Sequence, residues 1–183
     1  MKRSAAATRA TILAAARERF ATDGYERATI RAVAADAHID PSMVMRYFGN
    51  KQQLFAAAAE LNLQLPNLVR VPRRTVGRVL ASHFMERWET DEGLKVLLRT
   101  ALSNDEARGR MRFIFATQLT LAINVLVTDP TDATLRAGLV ATQVLGMAFC
   151  RYVLHLEPVA LMTANEVVAW LGPTLQRYVT GSR

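Results

Sequence analysis

The sequence predicts an all-α protein of about nine helices, and three observations support that fold class. Apolar residues recur at helical spacing along most of the 183 residues, and helix-starting and helix-ending residues separate those stretches. No segment shows the alternating pattern of a convincing strand. With 51% hydrophobic and 21% charged residues, the chain has enough apolar material for one large domain or two small ones.

The first helix is predicted over about residues 9–22, because its apolar positions form one stripe opposite a charged face. The stripe consists of Ile12, Leu13, Ala16 and Phe20. Asp23-Gly24 is expected to end this helix, since glycine readily adopts the left-handed conformation found at helix C-termini.

Residues 29–51 are typical of two short helices joined by a tight turn. Thr29 is a capping residue for the first of them, and the apolar positions that follow share one helix face. These positions are Ile30, Val33, Ala34 and Ala37. His38-Ile39 interrupts the pattern, and Asp40-Pro41 then predicts a new helix start, because the Asp side chain accepts free backbone N–H groups.

The second of these helices has an inward face and an unusual outward face. Val44 and Phe48 are expected to pack inward. The outward residues are Ser42, Met43, Arg46 and Tyr47. A helix-turn-helix places such a second helix in the major groove of DNA, so the pattern predicts a DNA-binding regulator.

The net charge of +7 is unevenly distributed. Residues 1–112 hold 19 Lys and Arg against 12 Asp and Glu, whereas residues 113–183 hold four of each sign. A basic N-terminal part is what polyanion binding requires, because neutralising phosphates supplies much of the affinity for DNA. Charge alone fits a solvated basic surface equally well, and the helix-turn-helix pattern favours DNA.

Six further helices are predicted from the remaining apolar stripes and caps. The fourth runs from Asn50 to Pro66, and the prolines of residues 66–72 mark a junction before the fifth, over residues 73–88. Thr90 or Asp91 caps the sixth. The last three begin near Asp105, Thr131 and the Thr163–Glu166 capping box, and end near Pro130, before Pro158 and at Gly181.

Several segments of residues 8–60 resemble the N-terminal domain of the TetR family of transcriptional regulators. They are Ile12–Ala16, Phe20-Ala21, Gly24-Tyr25, Ala28–Ile30, Val33-Ala34 and Arg46–Phe55. His38 stands where the family usually has Gly, and Met45 stands where it often has Tyr. The resemblance implies that residues 1–50 form a DNA-binding domain and that residues 51–183 form a helical domain for ligand binding and dimerisation.

Seven residues are predicted to contact DNA, and their roles differ. They are Thr29, Arg31, Ser42, Met43, Arg46, Tyr47 and Lys51. Arg46 suits a bidentate contact to guanine O6 and N7, with a phosphate or solvent position as the alternative. Met43 suits a thymine methyl group, with local packing as the alternative.

The other predicted DNA contacts mainly orient the protein on the phosphate backbone. Ser42 suits a phosphate or a base edge, and Arg31 suits either as well. The resemblance implies phosphate contacts for Tyr47 and Lys51. Thr29 adds another, because free N–H groups at a helix N-terminus attract anions.

The last two predicted helices are apolar around much of their circumference. A monomer would leave one of their faces exposed, whereas a homodimer through a four-helix bundle would bury both. Gly146 and Ala141 are expected to permit close helix approach, and the resemblance implies the same interface. The alternative is that all apolar faces are buried within one subunit.

The resemblance also implies a pocket for a small, apolar effector among the middle helices. The candidate lining residues are Phe84, Trp88, Phe115, Gln118, Asn124 and Met147. Gln118 and Asn124 are the expected polar anchors of an otherwise apolar site. Aromatic and Met stripes at helical spacing are also typical of an ordinary core.

Other function classes find little support in the sequence. The three His and the single Cys150 show no metal-ligand spacing, and no phosphate loop or nucleophile elbow is present, so we predict no enzyme, metal or cofactor. No apolar run approaches a membrane span and no secretory segment is found, so we predict a cytoplasmic protein without a membrane partner. The prediction is a ligand-responsive repressor that binds a palindromic operator as a dimer. The alternative is a helical protein-interaction module without specific DNA binding.

Overall fold

The computed structural model describes residues 5–58, 62–127 and 129–181, and every regular element within those ranges is helical. Nine helices are present in the described ranges, in agreement with the predicted all-α fold. They are α1 (Ala5–Arg27), α2 (Ile30–Asp36), α3 (Pro41–Phe48), α4 (Lys51–Ala58), α5 (Val76–Thr90), α6 (Glu92–Thr100), α7 (105–124), α8 (Pro130–Tyr152) and α9 (Ala164–Thr180). Helix α7 has three consecutive parts: an α-helical part Asp105–Ile114, a π-helical segment Phe115–Leu119 and a last α-helical turn Thr120–Asn124. Three 3₁₀ turns lie at Leu68–Arg70, Arg73–Thr75 and Val159–Leu161.

Local sequence signals place most helix ends correctly. Gly24 has φ 72°, which interrupts the regular helix of α1 where a stop is predicted, although helical structure resumes as far as Arg27. The capping box of α9 is present: the Thr163 hydroxyl accepts from the Glu166 N–H at 3.3 Å, and the Glu166 carboxylate accepts from the Thr163 N–H at 2.7 Å. Asp129 caps α8 by accepting from the Thr131 N–H at 2.9 Å.

Some predicted boundaries are wrong. α4 is described only to Ala58, and residues 62–67 are not helical, because Asn62 accepts the Gln64 N–H at 2.8 Å and Gln64 takes φ 52°. The predicted stretch 59–61 lies outside the described residues. α5 begins at Val76 rather than residue 73, because a 3₁₀ turn precedes it. The end of α8 at Tyr152, in contrast, agrees with the predicted end before Pro158.

The chain folds into two compact units, one of residues 1–61 and 92–111 and the other of residues 62–91 and 112–183. The first unit therefore takes in α4 and α6 as well as the three N-terminal helices, and α6 packs against both α1 and α4. Its core contains Phe20, Val33, Val44 and Phe55, and the Phe20 and Phe55 rings meet edge to face at 4.9 Å. The functional division at residue 50 remains a prediction.

In the second unit, α5 packs closely along α9. A Cβ on Gly77 would lie 2.3 Å from the backbone nitrogen of Gln176 and 2.4 Å from the carbonyl oxygen of Gly172. The Gly77 N–H donates to Gln176 Oε1 at 2.8 Å, and Gln176 Nε2 donates to the Arg73 carbonyl at 2.8 Å. Glycine at residue 77 thus allows two helix backbones to approach and hydrogen-bond through one glutamine.

α8 carries more apolar surface than the rest of the described chain covers. Residues 130–152 reach a mean hydropathy of 1.3 over an 18-residue window of which 28% is buried, so this helix is long and apolar enough to cross a membrane. The prediction that no apolar run approaches that length is therefore wrong for α8. Length and composition are weak evidence for a span, since a helix covered by other protein passes the same test.

Candidate nucleic-acid interface

The turn between α2 and α3 holds the two helices in a fixed relation. Thr29 Oγ1 accepts from the Ala32 N–H at 3.1 Å and caps α2. His38 adopts φ 53°, so the residue that replaces the usual Gly does take the left-handed conformation. The Ile39 N–H then donates to the Ala34 carbonyl at 2.9 Å, which ties the turn back to α2.

The start of α3 is fixed by Asp40 and Pro41. The Asp40 carboxylate accepts from the Ser42 hydroxyl and, at 2.7 Å, from the Ser42 N–H. These hydrogen bonds lower the pKa of Asp40 below its usual value. Pro41 occupies the first turn, where a backbone N–H would lack an intrahelical acceptor.

α3 has the two-faced character that its sequence predicts. Val44 and Phe48 are buried in the core of the first unit. Ser42 and Arg46 are exposed, whereas Met43 and Tyr47 are half-buried. The Arg46 guanidinium carbon lies 5.7 Å from the centre of the Tyr47 ring, so the two side chains form one outward surface. The buried pair fixes the helix while these side chains remain available to a partner.

Met45 is a further exposed residue of α3 that the sequence reasoning did not select. Its side chain is 44% exposed, which is high for a large apolar residue. Met45 follows the inward-facing Val44 and precedes Arg46. Its exposure adds an apolar element to the outward surface of α3.

Two arginines of α1 brace the helix-turn-helix, and sequence spacing did not reveal either role. Arg19 donates to both carboxylate oxygens of Asp36, at 2.8 and 2.6 Å, and to Asp23 at 3.2 Å. The hydrogen bonds from Arg19 lower the pKa of Asp36. The Arg9 guanidinium carbon lies 5.0 Å from the centre of the Phe48 ring. α1 therefore contacts both α2 and α3 through charged groups as well as through the core.

Lys51 lies at the start of α4 and is engaged within the protein. Its ammonium donates to the Glu26 carbonyl at 3.0 Å and lies 4.4 Å from the centre of the Tyr25 ring. Gly49, with φ 77°, ends α3 just before it. The predicted phosphate contact of Lys51 remains a prediction, and in this structure the side chain joins α4 to the end of α1.

Thr29 and Arg31 lie at the N-terminal end of α2, and both are exposed. Within the described part of the chain Arg31 forms no ion pair. The predicted set thus divides into exposed side chains of α2 and α3, half-buried Met43 and Tyr47, and Lys51, which is held by α1.

The predicted effector residues do not all lie in one place. Phe84 and Phe115 are buried and stack with ring centres 6.1 Å apart. Gln118 is half-buried, and its Oε1 accepts from the Leu63 N–H at 2.7 Å. Asn124 is exposed at the end of α7, so it does not line an enclosed space with the buried aromatic residues.

Trp88 combines burial with an unsatisfied donor. Its side chain is 2% exposed, and its indole Nε1 has no hydrogen-bond acceptor among the described residues. The ring stacks on Tyr152 of α8 at 6.5 Å. Met147, the remaining predicted residue, is half-buried on the same helix. A buried N–H without an acceptor is unusual, because it loses its hydrogen bond to water on folding.

Two family models match the chain. One, described as "Bacterial regulatory proteins, tetR family", covers residues 12–58, and the other, "Tetracyclin repressor-like, C-terminal domain", covers residues 75–179. None of the curated proteins matches.

Solved structures with a similar fold are bacterial regulators. A TetR-family regulator from Streptomyces coelicolor is 28% identical, with a TM-score of 0.52 and 97% of each chain covered. The fatty acid degradation regulator FadR from Bacillus halodurans is 14% identical, with a TM-score of 0.50, and covers 100% of this chain and 99% of its own. The second likeness shows the fold alone.

Proposed function

Since the chain belongs to the TetR family of transcriptional regulators, we propose that it is a repressor that binds a palindromic operator as a homodimer and releases it when an effector binds. The family match confirms the prediction of a DNA-binding regulator rather than an enzyme. The cytoplasm is the proposed compartment, because that is where a bacterial operator is reached.

The observation that carries the DNA-binding proposal is the division of α3 into two faces. Val44 and Phe48 are buried and hold the helix, while Ser42 and Arg46 are exposed beside Tyr47. A guanidinium on an outward helix face matches the donor geometry that reads guanine in the major groove. The hydrogen bond from Arg19 to Asp36 joins α1 to α2 and so helps to fix the helix-turn-helix that carries α3.

The experiment is selection of bound sequences from a random DNA pool at about 0.15 M salt, where weak electrostatic binding is suppressed. A palindromic consensus is the expected result. Failure to enrich any sequence would contradict the proposal and favour the alternative of a helical protein-interaction module. The control is the double variant Arg46→Ala and Tyr47→Phe, because any DNA that this variant still binds is held by residues outside the outward face of α3.

We place the dimer interface on α8 and α9. Trp170 on α9 is 76% exposed, and Leu135 and Leu139 on α8 are 50% and 37% exposed. A Cβ on Gly138 or Gly146 would have no neighbour within 4 Å, so a partner helix has room to approach. Such an exposed apolar surface is unfavourable in an isolated subunit.

Trp170→Glu tests this interface, with Leu102→Glu as the matched control, because Leu102 is also exposed, at 57%, but follows α6. We expect Trp170→Glu to shift the protein from dimer to monomer in sedimentation velocity, and Leu102→Glu to leave it dimeric. A Trp170→Glu protein that remains a dimer would remove α9 from the interface.

The effector cavity is proposed around Phe84, Phe115 and Trp88. Two observations support it: the unsatisfied indole N–H of Trp88, and the π-helical segment Phe115–Leu119. π-Helical turns inside α-helices are frequent at functional sites. The expected effector is apolar and carries one hydrogen-bond acceptor for the indole.

A further inference from the structure

A second concentration of positive charge lies outside the DNA-binding helices. Residues 62–85 contain four arginines and no acidic residue, which gives them an excess of four positive charges. Residues 1–58 have an excess of the same size, with nine basic and five acidic residues. The basic character of the chain therefore has two centres, and the helix-turn-helix accounts for only one of them.

Two of these arginines line a groove between α5 and α9. The groove has a volume of about 740 Å³, which lies within the range of small-molecule sites. Its lining residues are Arg74, Arg78, Asn165, Val168, Ala169, Gly172, Pro173 and Gln176. At Gly172, one of these lining residues, the two helices approach closely, since a Cβ there would lie 3.2 Å from the Arg78 Cα.

Arg74 and Arg78 are exposed and form no ion pair within the described residues. Arg74 lies in the 3₁₀ turn before α5 and Arg78 lies in the first turn of α5, so both positive charges border the same end of the helix. Their neighbour Arg73 differs, because it donates to the Leu126 carbonyl at 2.7 Å. Glu166, in the first turn of α9, is held in its capping box by Thr163. The two guanidinium groups thus share one groove with no counter-charge supplied by these neighbours.

The opposite wall of the groove is apolar. Val168, Ala169 and Pro173 of α9 present hydrocarbon surface to the space that the arginines border. Gln176 is already committed to the Gly77 N–H and the Arg73 carbonyl, which leaves the two arginines and the exposed amide of Asn165 as the polar groups of the lining. A ligand that satisfies both walls needs an oxyanion at one end and a hydrocarbon body.

We propose that this groove binds a small amphiphilic anion, whose carboxylate or phosphate group is held by Arg74 and Arg78 while its hydrocarbon part packs on Val168, Ala169 and Pro173. Guanidinium groups hold both kinds of oxyanion through paired, charge-assisted hydrogen bonds. The site is separate from the effector cavity around Trp88, and it does not depend on DNA binding.

Isothermal titration calorimetry on the full chain tests the proposal with three probes below their micellar concentrations. Octyl phosphate and sodium octanoate distinguish the two head groups, and 1-octanol is the uncharged control. We expect one or both anions to bind saturably and 1-octanol to bind at least about tenfold more weakly, since the charged head supplies the charge-assisted contacts.

Matched variants locate the binding. The groove variant is Arg74→Gln with Arg78→Gln, and the control is Arg70→Gln with Arg177→Gln, which removes two exposed charges outside the groove. We expect the groove variant to lose about tenfold or more in affinity and the control to stay within about twofold. Binding that the groove variant retains but Trp88→Phe abolishes would place the anion in the effector cavity and overturn the proposal. Equal losses in both double variants, or no saturable binding, would overturn it as well.

Discussion

Arg46→Ala separates base reading from phosphate contact on α3. Arg46 is exposed, and its guanidinium contacts the Tyr47 ring at 5.7 Å. An exposed cation–π contact contributes only about 0.5–1 kcal/mol, so the variant is expected to fold. A bidentate guanine contact contributes about 1–3 kcal/mol of discrimination, which corresponds to about 5- to 150-fold at one base position of each half-site.

The comparison is Lys51→Ala, measured on the same DNA. If Lys51 contacts phosphate, its loss weakens all sequences alike and lowers the salt dependence of binding by about one unit for each half-site. Lys51 also donates to the Glu26 carbonyl and contacts the Tyr25 ring, so its removal loosens the junction of α1 and α4. Thermal unfolding of Lys51→Ala in the absence of DNA measures that structural effect.

The assay is fluorescence anisotropy with the selected operator and with variants that each change one base pair, at three salt concentrations. Arg46→Ala should flatten the preference at one symmetric pair of positions and leave the others unchanged. An equal loss on every sequence, with the same change in salt dependence as Lys51→Ala, would refute base reading by Arg46.

Three further predictions concern stability and the effector. Gly77→Ala should destabilise the protein by about 3 kcal/mol or more in chemical denaturation, because the added Cβ would meet backbone atoms of α9. The control is Gly109→Ala on α7, where a Cβ would have no neighbour within 4 Å, and we expect it to be neutral or stabilising by up to about 1 kcal/mol. Asp36→Asn should reduce the free energy of unfolding at neutral pH. The difference from the parent protein should shrink as the pH falls below about 3.8, because the lowered pKa of Asp36 in the folded protein contributes stability only while its carboxylate is ionised. Trp88→Phe should weaken an acceptor-bearing effector about tenfold while leaving operator binding unchanged, and an unchanged effector affinity would exclude the indole N–H as its donor.

Signals that act within one turn of chain were sufficient to predict much of the DNA-binding region. Asp40-Pro41 predicts the start of α3, because the carboxylate caps residues directly after it. His38 stands where the resembled family usually has Gly, and its φ of 53° is the left-handed conformation that glycine adopts readily. The inward positions of Val44 and Phe48 follow from helical spacing alone. Each of these features depends on residues close together in sequence.

Features that depend on distant residues were not predictable in the same way. The Arg19–Asp36 contact joins residues 17 apart, and many acidic residues could have occupied its place. The Gly77–Gly172 crossing requires knowledge that α5 packs on α9. Gln118 and Asn124 are equivalent by helical spacing on one apolar helix, but Gln118 lies inside the π-helical segment Phe115–Leu119 and Asn124 lies beyond it, so the angle between the two side chains differs from that of a regular α-helix.

The positive charge of residues 1–112 is divided between two parts of the chain. The excess of seven positive charges over residues 1–112 was interpreted as a single signal for DNA, yet residues 62–85 of the second unit alone contribute an excess of four. A sum over a segment does not identify the surface on which charges lie. Arg74 and Arg78 border a groove formed with α9, which is the site of the proposed small anion.

The apolar surface of α8 is better explained by a second subunit than by lipid. Arg136 lies within this helix, pairs with Asp132 at 3.0 Å and donates to the Tyr178 carbonyl of α9 at 2.7 Å. These contacts fix α8 against α9 through charged groups that a bilayer core would strongly disfavour. The opposite face carries Leu135 and Leu139 with Gly138 and Gly146 open beside them. Helix α8 thus has one face that is held by its own chain and another face with room for a second helix. A two-fold helical bundle requires this arrangement.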